Sequence, residues 1–176
     1  TSTPPKKIMS PKDLGRKIFV VDQTLREGMQ FQGIVFSLEQ RIKILEFQEA
    51  LGIDICQAGY PSAHPMEAAI VAKLAAHAKK NNFRIRIAAL GRAFAPDAKI
   101  LCDTGIDDPH FHLHVKNAIP PKDLTTVFLD LRTTTDIVRE HLPEAMISVA
   151  MLDIGKADPD LLKRAFHFCG RDLGIE

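Results

Sequence analysis

VVDQTLREGMQFQG, residues 20–33, runs from a β-branched strand straight into charge. The apolar run KIFVVD (17–22) reads as a buried strand that ends in a carboxylate, Asp22. Thr24, Arg26, Glu27 and Gln30 follow within a few positions. A helix comes next, in FSLEQRIKILEFQEALG: Ser37 and Gln40 have capping-box spacing, Leu38, Ile42 and Leu45 share a face, and Gly52 stands where a C-terminal glycine belongs. This segment is therefore one β/α unit with its polar cluster at the carboxyl end of the strand.

The same unit repeats along the chain. IDICQAG (53–59) is a second strand, and a helix runs from Pro65 to Lys80 with Ile70 and Leu74 on one stripe. FRIRIAAL (83–90) is a third strand, followed by a short helix from Pro96 to Asp103 that stops near Gly105. PHFHLHV (109–115) is a fourth, with a helix over 123–142 entered through Pro120-Pro121. MISVAML (146–152) is a fifth, and Asp158-Pro159 opens a last helix that runs to Leu173. Strict alternation predicts α/β architecture with a parallel sheet and helices outside it. A doubly wound sheet and the first part of a (β/α)8 barrel both fit five strands. No GxGxxG follows the first strand, which argues against a dinucleotide site. A complete barrel takes about 250 residues, so these 176 residues predict a partial TIM barrel of about five β/α units over 17–176, with an N-terminal arm at 1–16.

Composition bounds the function. The chain is 45% hydrophobic and 26% charged with a net charge of +1, a globular profile that gives no support for nucleic-acid or membrane-surface binding. No apolar run approaches the roughly 20 residues of a membrane span, and the N-terminus lacks the apolar segment of a secretory signal. The 3 cysteines, Cys56, Cys102 and Cys169, are widely spaced, which points to a reducing, cytoplasmic compartment.

Ligands of parallel α/β folds sit at the carboxyl ends of the strands. Beyond the first strand, those ends carry Gln57, the Gly59-Tyr60-Pro61 turn and His64, then Arg92, then His114, Lys116 and Asn117, then Asp153, Lys156 and Asp158. Arg26 could polarise a carbonyl and Glu27 hold a divalent metal, or the two could simply pair and seal the end of the sheet. His110, His112 and His114 alternate with Phe111, Leu113 and Val115. A period of 2 puts the imidazoles on one face, away from the helices. There they can ligate a metal or make a polar, hydrogen-bonded lumen.

DQTLREGMQ resembles the strand-one signature D-x-T-L-R-(D/E)-G-x-Q of the pyruvate-carboxyltransferase-like, metal-dependent TIM barrels. These include 2-isopropylmalate, homocitrate and citramalate synthases and HMG-CoA lyase. IDICQAGYPSAHP, IAALGRAFAPD and SVAMLDIGKADPDLL are similar to the family's strand-two, strand-three and strand-five segments. The resemblance implies a Claisen condensation between an acyl-CoA and a 2-oxo acid, an acyltransferase step of amino-acid biosynthesis. Arg26 would stabilise the enolate, Glu27 would bind the metal, and Gln30, Gln57, His110, His112 and His114 would line the substrate site. Oxygen donors favour Mg²⁺ or Mn²⁺, and histidine co-ligands also admit Zn²⁺.

The sequence departs from the family pattern in several places. Gln57 replaces a glutamate, Ser148 stands at another glutamate position, Lys156 replaces an arginine, and the strand-seven H-x-H metal pair has no counterpart. The expectation is therefore a part of a longer chain, or a barrel completed by another chain in a homo-oligomer. The alternatives are a lyase running the reverse cleavage and a non-catalytic binding or assembly relative.

Overall fold

A computed structural model describes residues 18–114, 124–152 and 154–175. Five strands, β1 (Val21–Asp22), β2 (Ile55–Gln57), β3 (Arg86–Arg92), β4 (Asp108–His114) and β5 (Ser148–Leu152), alternate with five helices. These are α1 (Leu38–Leu51), α2 (Pro65–Lys80), α3 (Ala95–Asp103), α4 (Leu124–His141) and α5 (Pro159–His167). Each strand pairs in parallel with its sequence neighbours, in the order β1-β2-β3-β4-β5. A doubly wound sheet would reverse direction at a switch point, and this one does not. Right-handed crossovers that always step the same way put every helix on one face. The sheet curls into a half-barrel with the other face inward. Among the described residues no helix is long and apolar enough to cross a membrane.

Local sequence explains the element ends. Ser37 Oγ accepts from the Gln40 amide at 3.2 Å while Gln40 Oε1 accepts from the Ser37 amide at 2.8 Å, so the capping box forms. Gly52 closes α1 at φ 75°, a left-handed conformation that suits glycine. His64 is a cap as well: its Nδ1 accepts from the Met66 amide at 3.1 Å ahead of Pro65. Asp158 caps α5, accepting from Asp160 and Leu161 amides at 2.7 and 3.3 Å. Those bonds give His64 and Asp158 structural duties, although the sequence places both near the ligand end.

Several boundaries differ from the sequence reading. The expected strand over 17–22 is only Val21–Asp22, because Asp54 draws residue 20 out of the regular ladder. Val20 donates to the Asp54 carboxylate at 2.9 Å, and its carbonyl accepts from Asp54 and Ile55 at 3.2 and 3.1 Å. The expected strand over 53–59 is Ile55–Gln57, though the Ala58 amide and Gly59 carbonyl still bond to β3. β3 starts late because the Phe83 amide closes α2 on Ala78, and the Arg84 amide bonds the Glu49 carboxylate. The last α-helix stops at His167 and widens into a π-turn over Phe168–Asp172, which buries Cys169. The N-terminal arm (1–16) and the Pro120-Pro121 entry lie outside the described residues.

The core fills the space between sheet and helices. Cys56, Ala58, Ile87, Ala89 and Phe111 pack with Leu45, Val71, Leu74 and Leu101 from the helices, and Leu113 joins a second cluster with Val127, Leu131 and Ala165. In α1 the buried face is only partly apolar: Leu45 is buried beside Arg41 and Gln48. Both polar side chains make a pairing bond, although Arg41 Nε and Gln48 Oε1 have no partner among the described residues. Arg41 Nη1 donates to both Glu67 oxygens at 3.0 Å, and Gln48 Nε2 donates to Asp22 Oδ1 at 2.5 Å.

Candidate functional site

The turn after β1 is built around two acceptors. Asp22 Oδ1 accepts from the Thr24 amide at 2.8 Å in addition to Gln48. The Gln23 carbonyl accepts from the amides of Arg26, Glu27 and Gly28 at 3.0, 2.7 and 3.3 Å. Leu25 is buried and anchors the turn from beneath. Arg26 and Glu27 are thereby fixed side by side at the carboxyl end of the strand, and their side chains form an ion pair. The Arg26 side chain is 15% exposed and that of Glu27 56%. Burial lowers the Arg26 pKa from its usual value, and the nearby Tyr60 phenol opposes that shift. Arg26 Nε is buried without a hydrogen-bond partner among the described residues. Gln30 closes a short turn, Gly28–Gln30, and is exposed.

A second group lies on the inner face. Strand register puts Gln57, Ala88 and Asp108 in one row and Leu90, His110 and Ser148 in another, both on the face away from the helices. Gln57 and His110 are 3% and 9% exposed, and Gln57 Nε2 lies 2.9 Å from His110 Nδ1. Burial lowers the His110 pKa below its usual value; Asp108 opposes this and His112 adds to it. Burial thus disfavours the charged ring, in keeping with an Nδ1 that accepts from the Gln57 amide. Gln57 Oε1 and His110 Nε2 remain buried without partners among the described residues. His112 is half-buried and sits in register with Arg92 and Ala150, toward the carboxyl end. The backbone of His114 ends β4, but its side chain lies outside the described residues, as do Lys116, Asn117 and Asp153.

The carboxyl end of β3 carries a network of which the sequence reading named Arg92 but not its partners Asp97 and Ser62. Asp97, in the first turn of α3, is 1% exposed. Its Oδ2 accepts from Arg92 N, Arg92 Nε and Ser62 Oγ at 2.9, 3.0 and 2.8 Å, and its Oδ1 accepts from Arg92 Nη2 at 2.8 Å. At the opposite end of the sheet, Arg86 Nε and Nη2 grip the buried Asp108 at 2.6 and 2.5 Å, an ion pair that closes the base. The Arg86–Asp108 pair depends on strand register, whereas Arg92 and Asp97 are five residues apart across the turn from β3 into α3.

The described residues do not by themselves make a metal centre. Among them, no group of three or more His, Cys, Asp and Glu side chains is arranged to hold an ion. Glu27 is one exposed carboxylate, already paired with Arg26.

The HMGL-like family model matches residues 17–168. The chain belongs to the HMGL-like family. Among curated relatives it is 31% identical over 132 residues to an (R)-citramalate synthase of Aquifex aeolicus, covering 74% of this chain and 23% of that protein. It is 32% identical over 161 residues to a 2-isopropylmalate synthase of Synechococcus sp. CC9605, covering 86% of this chain and 29% of that one. The chain thus spans under a third of either relative. Hydroxymethylglutaryl-CoA lyase from Pseudomonas aeruginosa superposes with a TM-score of 0.66 at 15% identity, covering 89% of this chain and 55% of that one. An HMG-CoA lyase from Acinetobacter baumannii, solved with coenzyme A and 3-methylmalate, has a TM-score of 0.57 at 13% identity, covering 89% of this chain and 53% of that one. At such identities the structures bear on the fold alone, and they agree that it is a partial TIM barrel.

Proposed function

We propose that this HMGL-like chain carries the enolate-stabilising part of a condensing enzyme that joins an acyl-CoA to a 2-oxo acid. The observation that carries the reading is Arg26. A guanidinium mostly withdrawn from water, with a buried N–H that has no partner among the described residues, is fixed at the carboxyl end of β1. Making a carbanion beside a thioester throws negative charge onto the thioester oxygen. A preorganised guanidinium in a dry site stabilises that charge more than water does. Glu27 is the residue we propose as one oxygen ligand of a divalent ion, with its other donors outside the described residues. Gln30, His112 and the Gln57–His110 pair are proposed to line the 2-oxo acid site, and His114 is proposed there from its place at the end of β4.

The synthase direction is favoured over cleavage because the citramalate and 2-isopropylmalate synthase relatives are 31% and 32% identical, whereas the lyases share the fold at 15% and 13%. The test is thiol release from acetyl-CoA by the intact protein over a panel of 2-oxo acids with excess Mg²⁺ or Mn²⁺. CoA appears only when an acid partner is present, and Arg26→Lys lowers the rate about 100- to 1,000-fold. A folded protein that releases no CoA with any acid overturns the reading. Bound metal, measured by elemental analysis, falls in Glu27→Ala; if it does not, Glu27 is not a ligand.

A further inference from the structure

The carboxyl end of β3 holds a cation that the reading above does not use. The Arg92 side chain is 59% exposed, yet it is not free to move. Asp97 grips it through Nε and Nη2, and the same carboxylate takes the Arg92 backbone amide and the Ser62 hydroxyl. The ring of Phe94 lies against the guanidinium, 5.7 Å from its carbon. Burial alone would raise the Asp97 carboxyl; hydrogen bonds from Arg92 and Ser62 outweigh it and hold the acid ionised. A long side chain that normally samples many rotamers is thus fixed before any ligand arrives.

The grip uses only one edge of the guanidinium. Nε and Nη2 form the side-on fork that faces Asp97. The end-on fork, Nη1 with the second Nη2 hydrogen, has no partner among the described residues. That fork matches two oxygens of a carboxylate or phosphate. Arg26 lies within electrostatic range of the same Tyr60 phenol as Arg92, at the same end of the sheet. An ordinary surface ion pair contributes little to stability, and one that buries its acid to orient an exposed cation is better explained by what the cation meets.

We propose that Arg92, oriented by Asp97 and Ser62, is an oxyanion-binding subsite at the carboxyl end of the sheet. Its ligand is a carboxylate or phosphate group, supplied by the 2-oxo acid or by a phosphate of the CoA thioester. This deepens the condensation reading by naming the side chain that holds a substrate's charged end. It is tested by binding alone, so its failure and the failure of the chemistry are separable.

The probes are pyruvate for the carboxylate and adenosine 3′,5′-bisphosphate for the phosphate, titrated calorimetrically into the intact protein. Arg92→Lys keeps a positive charge beside Asp97 but removes the fork. It weakens one of the two probes about tenfold or more, and the probe affected names the source of the anion. Asp97→Asn, which loosens the fork, weakens the same probe by a smaller factor. Arg84→Gln, at an exposed arginine paired with Glu49 at 3.5 Å, serves as the control and changes neither affinity. The proposal is overturned if the wild-type protein binds neither probe or if Arg92→Lys binds both as tightly as wild type. Equal losses from Arg84→Gln and Arg92→Lys overturn it too, since they would mean diffuse charge attraction. Matching near-ultraviolet circular dichroism spectra establish that each variant is folded.

Discussion

On β4, Phe111 and Leu113 point toward the helices and are enclosed by apolar side chains, whereas His110 points to the inner face and meets the Gln57 amide. Neighbouring residues on one strand therefore obey different constraints. The helix face is specified by volume, and any missing atom leaves a cavity. The inner face is specified by donors and acceptors, and there Gln57 Oε1 and His110 Nε2 have no partner among the described residues. A buried polar atom without a partner costs about 1–3 kcal/mol. The strand side chains that face the helices are thus apolar and enclosed, although Arg41 Nε and Gln48 Oε1 on α1 also lack partners among the described residues, while the inner face pairs polar groups incompletely.

This contrast can be broken by experiment. Phe111→Ala strips a fully buried ring from the helix side, and urea unfolding should show a loss of about 4 kcal/mol. A loss below about 1 kcal/mol would mean that the core collapses around the gap, and volume would then not be the rule on that face. Gly59→Ala probes a close approach beyond β2. A methyl there would run into the Glu67 carboxylate and come within 3.0 Å of Val71. Glu67 cannot step aside easily because Arg41 holds both its oxygens at 3.0 Å. The expected loss is about 2 kcal/mol, and an unchanged midpoint would show that the Arg41–Glu67 pair yields.

The smallest effect belongs to the inner face and is a pH dependence. His110 has a native pKa below its usual value, mainly through burial, with Asp108 and His112 acting in opposite senses. As pH falls below the unfolded value of about 6.5, the unfolded chain takes up a proton that the native one resists. Its stabilising contribution is therefore full above that pH and declines until the pH passes the lower native value. Urea midpoints at pH 7.5 and 5.5 should differ less in His110→Gln than in wild type. Identical differences would show that His110 is not held neutral by its burial.

The parts of this architecture that were legible in the sequence are those with short-range causes. The Ser37–Gln40 box, Gly52 and Asp158-Pro159 mark helix ends within a few residues, so spacing alone reveals them. The alternation of His110, His112 and Phe111 foretold which way the imidazole of His110 points, because a strand repeats every second residue. The Arg26-Glu27 turn was legible through its resemblance to a family signature, not through any periodicity. β1 was misjudged in length because an apolar run does not reveal that Asp54, far along the chain, will take the backbone of residue 20. His64 reads from the sequence as part of the ligand end, and only the bond from the Met66 amide shows it to be a helix cap.

By itself, the sequence determined five β/α units, the polarity of their carboxyl ends and membership of a family, because periodicity and motif spacing are local. The tertiary structure decided the sequential strand order, which excludes the doubly wound sheet that the same units would also allow. It decided as well which polar groups meet. Gln57 and His110 lie 53 positions apart and Ser62 and Asp97 lie 35 apart. Such pairs form only once parallel register has aligned the strands, since a hydrogen bond depends on tenths of an ångström that no local pattern encodes.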